Sequence, residues 1–334
     1  MILGSKSSLL QKFKNVSTVE KMTVAALILF GLLFDSFFSF KNIVSILETA
    51  ALKGVLALGM TILMISGELD LSVGTTAALS GILFGGIVHL TGGTITGYLL
   101  AFAAVICMAF LIATFNAWLT ISTKIPSLLT TLATSKILYC IAGLAATKLF
   151  REKAFPNWFK NLAGDWFGVL PGTVGIFFFF AFVFSIVLKK TRFGRNVYAI
   201  GGNKEASRLS GIKTNATIYK TFLLVQLSAA VSGLILAAYQ GSASHNYAQD
   251  WAMDVVCSAI IGGASYNGGF GSIKGTCFGL FFIGIMNNAL IYIRAGVFPQ
   301  YLFSGLLMLI VATINYKNNR QQVHVEDKTT DEKF

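Results

Sequence analysis

The run ITGYLLAFAAVICMAFLIATFNAWL, from Ile95 to Leu119, contains 25 consecutive residues without a charged side chain. About 20 apolar residues in a helix are enough to cross the hydrocarbon core of a bilayer. Of the 334 residues, 55% are hydrophobic and only 12% are charged, whereas soluble domains carry about 25% charged residues. The sequence therefore predicts a polytopic membrane protein, and it argues against soluble enzymes, nucleic-acid binders and secreted disulfide scaffolds.

Ten apolar runs of this kind predict an all-α membrane protein with about ten transmembrane helices. The runs are Met22–Phe38, Ile43–Ser66, Leu71–Leu90, Ile95–Leu119, Ser127–Ala146, Thr173–Leu188, Ile218–Ala238, Met253–Ala264, Thr276–Ile293 and Tyr301–Asn315. The eighth run is short for a full crossing, and a re-entrant segment buried in protein is the alternative. The predicted organisation is an N-terminal tail (residues 1–21), a transmembrane domain (22–316) and a C-terminal tail (317–334).

Two short segments carry most of the net charge of +12. The stretch from Lys189 to Lys213 holds seven basic residues against Glu205 alone, and the residues before Met22 hold four lysines against Glu20. Short basic segments next to apolar spans are retained in the cytoplasm. The charge therefore predicts that both termini and the loop at 189–217 are cytoplasmic, and it indicates a membrane partner instead of nucleic acid.

No motif for covalent chemistry is present in the sequence. It contains neither the GxxxxGK[ST] phosphate loop nor the HExxH zinc motif. The four cysteines and three histidines are scattered, without the spacing of metal ligands. We therefore expect no enzymatic activity, no metal site and no cofactor in this chain, so that any ATP-driven role requires a separate ATPase subunit.

The string GELDLSVG, from Gly67 to Gly74, separates the second and third runs. Asp70 and Ser72 are predicted either to cap the third helix by accepting from its first amides, or to form a bent helix start that faces a pathway. The capping interpretation is purely structural. The second one is functional, because acidic groups at membrane depth usually mark transport routes.

The string TRFGRNVYAIGGNKEASRLSGIK, from Thr191 to Lys213, lies within the loop at 189–217. Asn203 is predicted to be the N-cap of a short helix from Lys204 to Ser210 that ends at Gly211. A signal for membrane topology requires only basic residues. A capped helix between glycines has more order than that, which favours a docking element for another protein.

Both strings resemble motifs of the permease subunits of bacterial ABC importers of the ribose/galactose/xylose type. That family usually has GGIDLSVG at the first string and TxFGRxxYAIGGNxxAARLSGI at the second. Residues 262–276, GGASYNGGFGSIKGT, are similar to a third family signature, and the resemblance extends from Asn42 to Ile314. The chain departs from the family at Glu68, where glycine is common, and at Ser207, where alanine is common.

The resemblance implies a transmembrane permease subunit that moves a monosaccharide or a similar small polyhydroxylated solute into the cytoplasm by alternating access. Its implied partners are an ABC ATPase subunit, which uses the ATP, a periplasmic substrate-binding protein, and a second permease that is either another copy or a paralogue. The implied location is the bacterial cytoplasmic (inner) membrane. By similarity, the coupling segment for the ATPase contains Arg195, Asn203, Glu205, Ala206, Arg208, Leu209 and Gly211.

Two further groups of residues are candidates for function. The first group combines residues of the GELDLSVG string with polar residues that could line the pathway: Glu68, Asp70, Ser72, Gly74, Asn116, Lys136, Asn287 and Asn288. Lys136 either lines the pathway or extends to the membrane surface, and the asparagines either contact sugar hydroxyls or hold helices together. Arg151, Lys153 and Lys160 either steer a binding protein by charge or are only solvated.

Three other functions compete with this interpretation. A secondary transporter driven by protons or sodium would need ion-coordinating acids near the middle of the membrane. An intramembrane enzyme would need a nucleophile, base or metal group, of which the sequence shows none. Within the family, a permease for autoinducer-2 or inositol-like solutes is the third alternative.

Overall fold

The computed structural model of the chain describes residues 17–149, 155–166 and 170–294, and positions 296, 298–300, 302–303, 305–306, 309–310 and 313. Its elements are α1 (Thr18–Leu33), α2 (Phe40–Ile65), α3 (Val73–Leu90), α4 (Ile95–Thr123), α5 (Ser127–Leu149), α6 (Asn157–Lys160), β1 (Asp165–Trp166), β2 (Leu170–Pro171), α7 (Gly172–Lys190), α8 (Arg192–Gly202), α9 (Lys204–Leu209), α10 (Thr214–Gln240), α11 (Trp251–Ile261) and α12 (Ile273–Tyr292). The two short strands pair antiparallel just before α7. The positions described between 298 and 313 are helical.

Within these residues, seven helices are long and apolar enough to cross a membrane: α2, α3, α4, α5, α7, α10 and α12. The prediction of a helical, polytopic membrane protein is therefore confirmed. Helix α1 has 16 residues and α11 has 11, and most of the run Tyr301–Asn315 lies outside the described residues. The number of ten spans and the cytoplasmic position of the termini stay predictions.

Helix α2 is the centre of the bundle. From Ala50 to Ser66, every described side chain except Lys53 is buried. The helix packs against α7, α10, α11 and α12. A helix that is apolar on all sides is stable only in the interior of a protein or a membrane, and the sequence of α2 has only two charged residues between Ser45 and Ser66.

Small residues allow the central helices to approach closely. A Cβ atom at Gly233 of α10 would lie 2.1 Å from the carbonyl oxygen of Ala77 in α3, and one at Gly59 of α2 would lie 2.6 Å from Ser228 Oγ. Membrane helices use such residues at their contacts because lipid provides no hydrophobic force between helices. These glycines therefore fix how closely α10 packs against α2 and α3.

The segment that follows α10 consists of a non-helical part and the short helix α11. After α10 ends, Ala243 lies against Gly81 of α3, and Ala248 lies against Gly74, two helical turns nearer the start of α3. Helix α11 then continues for about 16 Å, roughly half of a 30 Å hydrocarbon core. The prediction that the eighth run is too short for a full helical crossing is confirmed.

Candidate functional site

Four polar side chains form a buried cluster between the α2–α3 connection, α4 and α10. Asp70, Ser72, Asn116 and Gln226 are all fully buried. Oδ1 of Asp70 accepts from the backbone nitrogen of Ser72 at 2.8 Å and from its Oγ at 2.6 Å. Oδ2 accepts from Asn116 Nδ2 at 3.1 Å and from Gln226 Nε2 at 2.7 Å. The carboxylate is thus held by four donors, two of which come from other helices.

The backbone from Gly67 to Ser72 brings Asp70 to this position. Gly67 has φ +86°, a conformation that favours glycine, and it reverses the chain at the end of α2. The amide groups of Leu69 and Leu71 then donate to Ser127 Oγ and Thr131 Oγ1 of α5, each at 3.0 Å. Non-helical backbone at membrane depth requires such partners because lipid supplies none.

The prediction that Ser72 caps the third helix is wrong, whereas Asp70 does accept from a backbone nitrogen at the start of that helix, the nitrogen of Ser72. Ser72 occupies the N-cap position of α3, but its side chain accepts no bond from the helix. Its hydroxyl donates to Asp70 and accepts from Asn116 Nδ2 and Gln226 Nε2, at 2.9 and 2.8 Å. Both residues therefore use their polar atoms to join helices.

The cluster lies deep in the bundle. Gln226 is twelve residues after the first residue of α10, which places it about 18 Å along that helix. Gln226 was not among the predicted site residues. The available signal was its position as an amide in the middle of an apolar helix, where a polar group needs a partner inside the protein.

The predicted asparagines have different environments. Asn116 is fully buried in the cluster, and Asn288 is buried and donates to Asn42 Oδ1 at 2.9 Å. Asn287 is half-buried. The contacts of Asn116 and Asn288 agree with the interpretation that they hold helices together.

Helices α8 and α9 form the basic end of the bundle, which we define as residues 191–213. The side chain of Asn203 accepts from the backbone nitrogen of Ala206 at 2.8 Å, so the predicted N-cap of α9 is confirmed. After α9, Gly211 has φ +82° and ends the segment. In α9 every residue except Ser207 is exposed, so this ordered helix presents nearly all of its surface.

The exposed side chains of α9 include an ion pair and an apolar residue. Arg208 donates to both carboxylate oxygens of Glu205, at 3.0 and 2.5 Å. This bidentate hydrogen bonding lowers the pKa of Glu205. The adjacent Leu209 is 75% exposed, and Arg195 of α8 is also exposed.

A junction of three backbone segments connects the basic end to α2. A Cβ atom at Gly201 would lie 1.7 Å from the carbonyl oxygen of Ile65 and 2.4 Å from the nitrogen of Gly269. The nitrogen of Gly269 donates to that same oxygen of Ile65 at 2.9 Å. We call this contact of α2, α8 and the 263–272 loop the glycine junction.

An ion pair supplements the glycine junction. Lys204, the first residue of α9, lies 3.6 Å from Glu68, which is 13% exposed. Glu68 stands two residues before Asp70, in the position where the sequence departs from the family motif. The connection between α2 and α3 is therefore linked both to α9 and to the buried cluster.

Other charged groups lie along the bundle. Lys53 of α2 forms an ion pair with Asp254 of α11, and both side chains are less than 20% exposed. Lys136 is exposed on α5. Lys160 and Glu48 line a cavity of about 430 Å³ at the end opposite the basic end. Arg151 and Lys153, predicted with Lys160 to steer a binding protein, lie outside the described residues.

Taken with seven apolar helices, a short apolar helix and an ordered basic loop, these features define a multi-pass membrane protein of the transporter class. The family described as "Branched-chain amino acid transport system / permease component" matches residues 42–312 of the chain. The chain belongs to that family of permeases.

Curated relatives cover nearly the whole chain. The "L-arabinose transport system permease protein AraH" of Escherichia coli (strain K12) is 31% identical over 85% of this chain and 87% of its own length. The "Ribose import permease protein RbsC" of Bacillus subtilis (strain 168) is 30% identical, over 87% of this chain and 90% of the relative. The "Probable ABC transporter permease protein YphD" of Escherichia coli (strain K12) is 30% identical over 93% of both chains. The resemblance to sugar permeases is confirmed. No solved structure matches the chain.

Proposed function

We propose that this chain is the transmembrane permease subunit of an ATP-driven importer for a monosaccharide or a similar small polyhydroxylated solute. One observation carries the proposal: α9 is an exposed and capped helix that is connected to the central helix α2. The connection runs through the glycine junction of the preceding helix α8 and through the ion pair of Lys204 with Glu68, which follows α2. The printed names of the relatives, which include L-arabinose and ribose permeases, support the substrate class.

The basic end supports an orientation. Because short basic loops are retained in the cytoplasm, α9 would face that compartment, where ATP is available. A separate ATPase subunit would contact α9 through Leu209 and the charged pair of Glu205 and Arg208. ATP-driven movement of the ATPase would displace α9, and the glycine junction would transmit the displacement to α2.

At the opposite end, a periplasmic binding protein would deliver the solute. Arg151, Lys153 and Lys160 would attract acidic groups of that protein over the range of a Debye length. A second permease would complete the pathway through the inner membrane.

Purification of the tagged chain from native membranes in mild detergent tests the proposal. We expect an ATPase with a Walker motif to elute with it in comparable amount. After reconstitution with its binding protein, the complex should take up radiolabelled L-arabinose or D-ribose only when ATP is inside the vesicles. Uptake by the chain alone without ATP would contradict the proposal.

The buried acid Asp70 favours an ion-coupled transporter as the second candidate, since acids at membrane depth frequently bind protons or cations. The two candidates differ in their energy source. Uptake that stops with a protonophore while cellular ATP stays high indicates ion coupling. Uptake that follows ATP and ignores the protonophore indicates the ABC importer.

The double variant Glu205→Ala/Arg208→Ala tests the role of α9. An exposed ion pair contributes only about 0–1 kcal/mol to folding, so the chain should still fold. We expect uptake to fall by about tenfold, the equivalent of one lost contact of about 1.4 kcal/mol at the ATPase, while ATP hydrolysis continues. The measurement is the ratio of solute imported to ATP hydrolysed in vesicles.

A second ion pair offers the matched control. Glu20 of α1 and Lys274 of α12 lie 2.7 Å apart, and neither residue belongs to α9. The variant Glu20→Ala/Lys274→Ala removes the same two charges and should keep the normal ratio. If the α9 variant also keeps a normal ratio, α9 is not the coupling element.

A further inference from the structure

A group of exposed polar side chains lies midway along the bundle, on α5 and on the non-helical segment before α11. Tyr139 is 37% exposed, and Lys136, Asn246, Gln249 and Asp250 are also exposed. We call these five residues the polar face. Exposed polar side chains are rare at this depth of a membrane protein. None of the five belongs to the buried Asp70 cluster.

Contacts with α5 and α3 fix the depth of the polar face. Tyr139 is twelve residues from Ser127 and ten from Leu149, so it lies about 18 Å and 15 Å from the two ends of α5. Its hydroxyl donates to Asn246 Oδ1 at 3.1 Å. Ala248 lies against Gly74 near the start of α3. Because Asn246 is hydrogen-bonded to Tyr139, the segment that carries Asn246 and Gln249 lies level with the middle of α5, and therefore near the middle of a bilayer that α5 spans.

Contact of the polar face with lipid acyl chains would be energetically unfavourable. Non-helical backbone at membrane depth is tolerated where it is buried in protein or lines a water-filled cavity. Among the described residues, neither Lys136 nor Asp250 has an oppositely charged group within 4 Å. Charged side chains in this position face water or polar solute instead of acyl chains.

The hydrogen bonds of the polar face leave a complementary pair of groups for a ligand. Asn246 Oδ1 accepts from both Tyr139 and Gln249 Nε2, at 3.1 and 3.0 Å. Among the described residues, the side-chain nitrogen Nδ2 of Asn246 and the side-chain oxygen Oε1 of Gln249 have no protein partner. They provide a donor and an acceptor on two side chains that are hydrogen-bonded to each other, and a hydroxyl group can use both because it accepts and donates.

An aromatic surface adjoins these two amides. The rings of Tyr139 and His245 lie 5.4 Å apart, and His245 contacts α5 at Gly143. The hydroxyl groups of Ser242 and Tyr247 lie 2.9 Å apart and shape the same segment. Binding sites for small solutes combine aromatic rings with a few polar groups whose positions are fixed, and the polar face has both.

We propose that the polar face binds the transported solute, and that Asn246 and Gln249 hydrogen-bond to adjacent hydroxyls of a polyol while Tyr139 contacts its C–H groups. This inference deepens the proposed function and rests on its substrate class. It also assigns the water-filled pathway to the side of the bundle formed by α5 and residues 242–250.

Thiol labelling in the purified full complex tests whether water reaches the polar face. Cys107 and Cys140 are exposed, so both are first replaced by serine. We expect Asn246→Cys and Gln249→Cys to react with a membrane-impermeant maleimide. Ile137→Cys is the matched control: Ile137 is 55% exposed on the same helix, but it points away from Tyr139 because residues two apart lie about 200° apart around a helix.

Protection and uptake test whether the solute binds there. L-Arabinose and D-ribose are added separately, and the sugar that is transported should slow the labelling of Asn246→Cys. For that sugar, Asn246→Ala and Gln249→Ala should each raise KM for uptake about tenfold, as expected for one lost hydrogen bond to a hydroxyl.

Two results overturn the inference. The first is labelling of Asn246→Cys and Gln249→Cys that is no faster than labelling of Ile137→Cys, which would make the face a protein or lipid contact. The second is a normal KM in both alanine variants together with no protection by the transported sugar. These results are distinct from failure of the proposed function, in which no ATPase elutes with the chain. Labelling and protection without an ATPase would support the site and reject the ABC energy source.

Discussion

The variant Asp70→Ala is expected to lose most of the folded protein. The substitution removes the acceptor of two buried donors, the backbone nitrogen and the hydroxyl of Ser72. The amides of Asn116 and Gln226 lose Asp70 as well, but they keep Ser72 Oγ as an acceptor. Each stranded donor costs about 1–3 kcal/mol, so two of them cost roughly 2–6 kcal/mol. The total stability of a protein is about 5–15 kcal/mol. The yield of monodisperse protein after size-exclusion chromatography should fall at least about tenfold.

Two further variants separate loss of the hydrogen bonds from loss of an acid. Asp70→Asn keeps the shape of the side chain. Its amide can donate to Oδ1 of Asn116 and Oε1 of Gln226 after the amide groups of these two residues rotate, since both oxygens are buried and have no partner among the described residues. We expect it to fold better than Asp70→Ala. Asp35→Ala removes an exposed acid and should leave the yield unchanged. Equal, normal yields for Asp70→Ala and Asp35→Ala would contradict the structural role of the cluster.

The variant Gly201→Ala is expected to break the glycine junction and stop transport. The added methyl group would lie 1.7 Å from the carbonyl oxygen of Ile65, and backbone at both contacts would have to move. Overpacking a tight site costs about 1–3 kcal/mol or more. We expect ATP-dependent uptake to fall by at least about tenfold and the apparent melting temperature in detergent to decrease.

The neighbouring glycine provides the control. A Cβ atom at Gly202 meets no atom within 4 Å, and Gly202 also lies at the end of α8. Gly202→Ala should therefore keep normal uptake and melting temperature. If both variants behave alike, the close approach of α8 to α2 does not matter for transport.

Local patterns in the sequence predict much of this fold. The run Ile95–Leu119 and the observed helix α4 begin at the same residue, because charge-free runs of this length have few alternatives to a membrane helix. The N-cap at Asn203 was also predicted, since a cap depends on residues three positions apart. The short length of α11 was visible from the polar residues on both sides of it.

Contacts between distant residues could not be predicted in this way. Asp70 and Ser72 have the composition of a helix cap, but their partners Asn116 and Gln226 lie 46 and 156 residues beyond Asp70 in the chain. Lys53 likewise pairs with a residue on a different helix. No spacing rule connects such positions, because they meet only after the helices pack together. The predicted roles of α9 and of the pathway residues stay predictions for the experiments above.

The ion pair between Lys53 and Asp254 has a consequence for biosynthesis, because its two members are 201 residues apart. At about 5–20 residues per second, a ribosome makes Asp254 about 10–40 s after Lys53. During this interval Lys53 occupies the middle of an apolar helix without its carboxylate, at a cost of about 2.5–3.5 kcal/mol for a charge at the centre of a membrane. The nascent α2 therefore depends on the insertion machinery until synthesis reaches α11.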